Sequence, residues 1–135
     1  MTVFGILELF LEIEKWDEQN ENLIGQVDVL GHLRIVYVRL VDVAESEDTK
    51  KELRKKALEV VDKALKIANR NQDKISEEQK VTTKVYLVSA QISYSKHLRG
   101  KEKEIVLQEA LKIIDEAIQK LPGSKVHKSW ALRFI

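Results

Sequence analysis

The chain reads as an all-α domain of five to six antiparallel helices, and three observations predict this. Apolar residues recur at steps of three and four, without strand-like alternation. Proline occurs once, at Pro122, and only five glycines interrupt 135 residues. Finally, residues 57–66 (Ala-Leu-Glu-Val-Val-Asp-Lys-Ala-Leu-Lys) are echoed by residues 110–119 (Ala-Leu-Lys-Ile-Ile-Asp-Glu-Ala-Ile-Gln), 53 residues later. Self-similarity at a fixed offset marks a repeated helical hairpin.

The first helix is expected from about Thr2 to Gln19, with Thr2 as N-cap. Val3, Leu7, Phe10, Leu11 and Ile13 form its apolar side, extended by Trp16. After a polar link the second helix runs from about Leu23 to Glu45. Its apolar surface (Val27, Leu30, Leu33, Val36, Tyr37, Leu40, Val41, Ala44) is wide enough to place it centrally in a bundle. The third helix is expected to open at Thr49, where Thr49-Lys-Lys-Glu52 reads as a capping box. Leu53, Ala57, Val60, Val61, Ala64, Leu65 and Ala68 face inward, and the helix fades at 69–73.

Ser76-Glu-Glu-Gln79 is a second capping box and opens the fourth helix, which carries Val81, Val85, Val88, Ile92 and Leu98 and stops at Gly100. The fifth helix covers about Glu102 to Leu121, with Ile105, Leu107, Ala110, Leu111, Ile114, Ala117, Ile118 and Leu121 inward, and Pro122-Gly123 ends it. Residues 124–135 contain Trp130, Leu132, Phe134 and Ile135 and read as a sixth, tail helix. Short links pair the second helix with the third and the fourth with the fifth.

The spacing Ala57…Val61…Ala64, repeated as Ala110…Ile114…Ala117, resembles the second helix of a tetratricopeptide repeat. Pro122 falls five residues after the last alanine, where that repeat usually ends. The 53-residue offset exceeds the roughly 34 of the standard repeat, so the hairpins are read as elongated. The resemblance implies a right-handed stack of hairpins whose first helices line a concave groove. It also implies the occupant, a peptide or helix of another protein.

Length and composition bound the function. The chain is the size of one domain, with 44% apolar residues, enough for a real core. Its 33% charged residues and lack of cysteine fit a thermophile-like surface. Zero cysteines exclude disulfides and thiolate metal sites. The N-terminus is a poor signal peptide, and Asp28, His32, Arg34, Arg39 and Asp42 would each be expensive in lipid. The expectation is a cytoplasmic protein without a membrane span. Net charge is +1 but uneven: residues 1–30 carry seven acids and one lysine, residues 31–75 eleven bases and eight acids, and residues 76–135 eleven bases and seven acids. Such polarity can orient a partner or a second copy.

Asp28, His32, Arg39 and Asp42 place a polar stripe along the second helix. It reads either as a groove wall touching a partner, with His32 able to change charge near neutrality, or as local pairs of Asp28 with His32 and Arg39 with Asp42. Lys84, Gln91 and Ser95 form a similar stripe on the fourth helix. It reads either as the facing wall or as an ordinary wet face.

The basic cluster Lys50, Lys51, Arg54, Lys55 and Lys56 is suited to phosphates. But Glu52–Lys56, Glu59–Lys63 and Asp62–Lys66 at i,i+4 describe a self-paired solvated face, and no aromatic residue interleaves, which argues against nucleic acid. His32, His97 and His127 are too widely spaced for a helix-borne metal site, and no phosphate loop or nucleophile motif occurs. No cofactor is expected. Trp130 reads as a packing residue or an interface anchor. The sequence therefore points to a noncatalytic protein-interaction module, with a self-associating bundle or homo-oligomer as the alternative and a nucleic-acid binder behind both.

Overall fold

Five helices fill the described part of the chain: α1 (Val3–Gln19), α2 (Leu23–Val43), α3 (Glu47–Arg70), α4 (Glu77–Ser95) and α5 (Gly100–Lys120). The structure is a computed structural model and describes residues 2–120, in which no strand occurs. Each helix packs on its neighbours in the chain, and α2 also touches α4. None of these helices is long and apolar enough to cross a membrane. The expected tail helix and Trp130 lie outside the described residues.

Local chemistry sets the helix starts. Thr2 accepts the Gly5 N–H at 3.0 Å and caps α1. Ser76 accepts the Gln79 N–H at 3.1 Å and caps α4. The third start differs from expectation. Helix α3 begins at Glu47, with Ser46 as its cap and Thr49 inside the first turn. The Ser46 hydroxyl accepts the Thr49 N–H at 3.1 Å and donates to the Thr49 hydroxyl at 2.8 Å. Glu47 and Asp48 then sit where the helix dipole favours negative charge.

Gly100 also departs from expectation. Helix α4 has already ended at Ser95, and the chain leaves it through three-residue turns, with the His97 N–H on the Tyr94 carbonyl and the Leu98 N–H on the Ser95 carbonyl. Gly100, at φ 60°, opens α5 instead.

The core is centred on α2. Val27, Leu30, Leu33, Val36, Tyr37 and Leu40 pack with Ala57, Ala64 and Ala68 of α3 and with Ile75. Alanines on α3 hold the two helix axes close. Ile75, from the link between α3 and α4, is fully buried and was not anticipated as core. A smaller cluster joins Val85 and Val88 of α4 to Ala110 and Ile114 of α5. The inward faces expected for the outer helices are too broad. Leu11, Ile13 and Trp16 of α1 and Ile105 and Leu111 of α5 are exposed, because among the described residues α1 packs chiefly on α2 and α5 chiefly on α4.

Helix α1 is tied down by polar contacts as much as by Ile6, Leu7 and Phe10. The Lys63 ammonium on α3 donates to Glu14 at 2.6 Å and to Glu18 at 3.4 Å. The bond to Glu14 raises the Lys63 pKa, partial burial opposes it, and the charges of Glu14 and Glu18 add to the rise. Gln26 also donates to Glu14, at 3.2 Å. At the tight α1–α2 link, Asn22 caps α2 by accepting the Gly25 N–H and donates to the buried Asp17 carboxylate. A Cβ on Gly25 would lie 2.5 Å from the Asn22 amide nitrogen and 2.9 Å from an Asp17 oxygen, so a side chain here would displace the Asn22 cap.

Candidate functional site

The seam between α2 and α4 opens into a cleft of about 120 Å³. Its α2 wall is Asp28, Gly31, His32 and Ile35, and its α4 wall is Gln79, Thr82, Thr83 and Tyr86. Both sets step by three, one and three, the spacing that puts four residues on one helix face. The floor is α3, through the fully buried Val61 and Ala64. The small side chain of Ala64 and the absence of one at Gly31 leave the space open.

An aromatic–cation contact holds the walls in register. The Arg34 guanidinium of α2 lies 4.4 Å from the centre of the Tyr86 ring on α4. Burial holds the Arg34 pKa below the ordinary arginine value, and Tyr86 partly offsets this. Its Nε is buried without a hydrogen-bond partner. The buried Thr83 hydroxyl donates to the Gln79 carbonyl of its own helix at 2.8 Å. On the outer edge of α2, the His32 ring stacks on Phe10 of α1, with centroids 5.8 Å apart and planes at 19°. His32 Nε2 is 3.7 Å from an Asp28 oxygen, and both side chains remain exposed. The local pair and the cleft wall are thus the same two residues.

The two expected stripes fare differently. Asp28 and His32 line the cleft, and Arg39 lies on the same exposed face of α2, one turn beyond Ile35. No ion pair joins Arg39 to Asp42 at salt-bridge distance. The α4 stripe faces elsewhere. Lys84, Gln91 and Ser95 share a helix face with Val88, which points into the core. Gln91 is 6% exposed with its Oε1 unpaired, Ser95 is 3% exposed with its hydroxyl on the Ile92 carbonyl, and Lys84 is half-buried. The residues that actually form the α4 wall were missed. Their signal was the step pattern shared with residues 28–35, masked because threonine, glutamine and tyrosine do not advertise a face.

The basic start of α3 also rearranges. Of the three expected pairs on this helix only Asp62–Lys66 forms, at 2.9 Å. Lys63 crosses to α1 instead, and Glu52–Lys56 does not close. Arg54 meets His97 from the α4–α5 link, with Nη1 to Nε2 at 2.7 Å. In that contact the imidazole nitrogen accepts, which favours the neutral ring. Burial lowers the His97 pKa, Arg54, Lys51 and Lys96 lower it further, and Glu47 opposes them.

Chemically, the cleft offers an apolar floor, hydroxyls, an amide and one carboxylate–imidazole pair. Among the described residues no group of three or more histidines or acids is placed to hold a metal ion. No known family model matches the chain, and neither the curated proteins nor the solved structures contain a match.

Proposed function

We propose that this chain is a noncatalytic interaction module that binds a peptide or helix of another protein in the α2–α4 cleft. The observation that carries the reading is the cleft itself: two helix walls in matched register over a floor of Val61 and Ala64. An apolar side chain of the partner would enter over the floor, while Gln79, Thr82 and Asp28 meet the polar atoms around it. That division of labour, a buried anchor inside a polar rim, is how interaction pockets gain affinity and orientation. The tetratricopeptide-like arrangement of α2–α3 and α4–α5 as two elongated hairpins belongs to the same proposal, since it places the first helix of each hairpin along the concave side.

The test uses two cleft variants. Thr82→Trp fills the cleft, and Ile35→Glu charges its wall. Proteins captured from an extract by the wild-type chain should be lost by both variants, with unchanged melting curves. Retention of the same partners by both variants would sink the assignment. Self-association is the second reading, favoured by the exposed apolar residues of α1. A sedimentation mass equal to one chain across a wide concentration range would remove it.

A further inference from the structure

Gly31 is a glycine that the fold does not require. Gly25 sits where a side chain would displace the Asn22 cap, and Gly100 takes a φ of 60° that favours glycine. Gly31 has neither reason. It lies near the middle of α2, outside the left-handed region. A Cβ there would rest 3.6 and 3.8 Å from two carbons of the Tyr86 ring, which are ordinary contact distances. Glycine within a helix is less stable than alanine, because it gives up more backbone freedom on folding. Alanine would therefore fit and would strengthen the helix. What the glycine supplies is bare backbone on the wall of the α2–α4 cleft.

The cleft limits what can lie against that backbone. An apolar cavity of about 150 Å³ takes a benzene ring. The cleft, at about 120 Å³, has room for a branched aliphatic tip and not for an indole. Val27, Val61 and Ala64 give that tip an apolar bed. The rim is chemically one-sided. Gln79 and Thr82 are neutral, whereas Asp28 offers an exposed carboxylate whose ion-pair partner among the described residues is the His32 ring, at 3.7 Å. A carboxylate beside an apolar bed favours an occupant with a cation next to its apolar group. We propose that Gly31 is the specificity-determining position of the cleft. It seats a leucine-sized aliphatic side chain of a partner protein against bare α2 backbone, while a cation beside that side chain meets Asp28. The proposal rests on the cleft being the docking site, and adds which side chain the partner presents there.

Isoamylamine carries both features, a leucine-like tip and a cation. Isovalerate keeps the tip and reverses the charge, and tryptamine keeps the charge and enlarges the tip. Methyl shifts of Val61 and Ala64 in NMR titrations report occupancy of the floor. Isoamylamine should bind several-fold more tightly than either comparison. Asp28→Asn should erase its advantage over isovalerate. Gly31→Ala should raise the urea midpoint and weaken isoamylamine binding several-fold. A lower midpoint for Gly31→Ala, an isoamylamine affinity unmoved by it, or equal affinity for the three probes would overturn the proposal. Protein capture separates it from the cleft reading. Partners lost by both Thr82→Trp and Gly31→Ala support it. Partners lost by Thr82→Trp but held at full strength by Gly31→Ala overturn the role of Gly31 alone, whereas partners held by Thr82→Trp, Ile35→Glu and Gly31→Ala together sink the cleft itself.

Discussion

Helices α3 and α5 carry the same alanine motif and end up in different surroundings. Ala57 and Ala64 lie in the larger core with six α2 residues, Ala68 and Ile75, and α3 is packed by α2 on one side and α4 on the other. Ala110 and Ala117 are equally buried, yet among the described residues the buried partners of Ala110 and Ile114 are Val85 and Val88 of α4, with Ile92, Ile113 and Ile118 partly buried at the edge. The motif therefore fixes how closely two axes approach. Among the described residues α3 has two strongly packed helical neighbours and α5 one, and the buried surroundings differ accordingly. A repeat in sequence is not a repeat in stability.

The largest test of this contrast is truncation. Leu33→Ala, at a fully enclosed site, should cost near the top of the roughly 2–5 kcal/mol expected for such changes, and Ile114→Ala near the bottom, because α5 can settle into the gap. Urea unfolding midpoints at constant slope measure both, and a reversed order would break the comparison. Enlargement comes next. Ala64→Leu should cost about 1–3 kcal/mol by forcing apart helices held on both sides, while Ala117→Leu should cost less, since among the described residues α5 packs chiefly on α4. Ala64→Leu should also narrow the cleft and weaken any partner bound there.

Smaller effects test the edges. Ser46→Ala should cost about 1 kcal/mol and Thr49→Ala clearly less, which separates the observed cap of α3 from the one its sequence suggests. Lys63→Met should cost under about 1 kcal/mol, since the side chain is half exposed, but it should raise amide exchange in α1 selectively.

The smallest effect is in pH. The folded His97 pKa lies below the ordinary value of 6.5, so the unfolded chain binds that proton more readily. The contribution of His97 is full above 6.5 and is lost as the pH falls from 6.5 toward the depressed value. Arg54→Met should raise the His97 pKa in an NMR titration and flatten that dependence. A titration unmoved by the substitution would show that Arg54 does not act on the ring.

The helices were legible in the sequence because their apolar period is strong, and two of the caps were legible because Thr2 and Ser76 precede clear apolar runs. The start of α3 was not. Ser46 and Thr49 can both cap, and Thr49-x-x-Glu52 is the better local motif, but Ser46 captures the Thr49 N–H one turn earlier. The face of the Lys84–Ser95 stripe was misread because polarity was taken for exposure, whereas the heptad step ties these residues to Val88. Lys63 escaped its local partner Glu59 because two carboxylates arrive from α1, and no local pattern reports a contact made across 49 residues. The cleft was half legible. Asp28 and His32 mark its α2 wall, but its opposite wall depends on which way α4 turns, and that is set by packing on α5.

The order of packing has a consequence in time. Helices α2 to α5 each settle on the element just before them, across links of a few residues. Ends that are already close in the chain lose little freedom when they meet, so such topologies fold quickly. Helix α2, valine-rich and weakly helical alone, would then wait only for α3 to emerge before its core could close. A chain growing from a ribosome can lay this molecule down one helix at a time, with each new helix finding its seat already prepared.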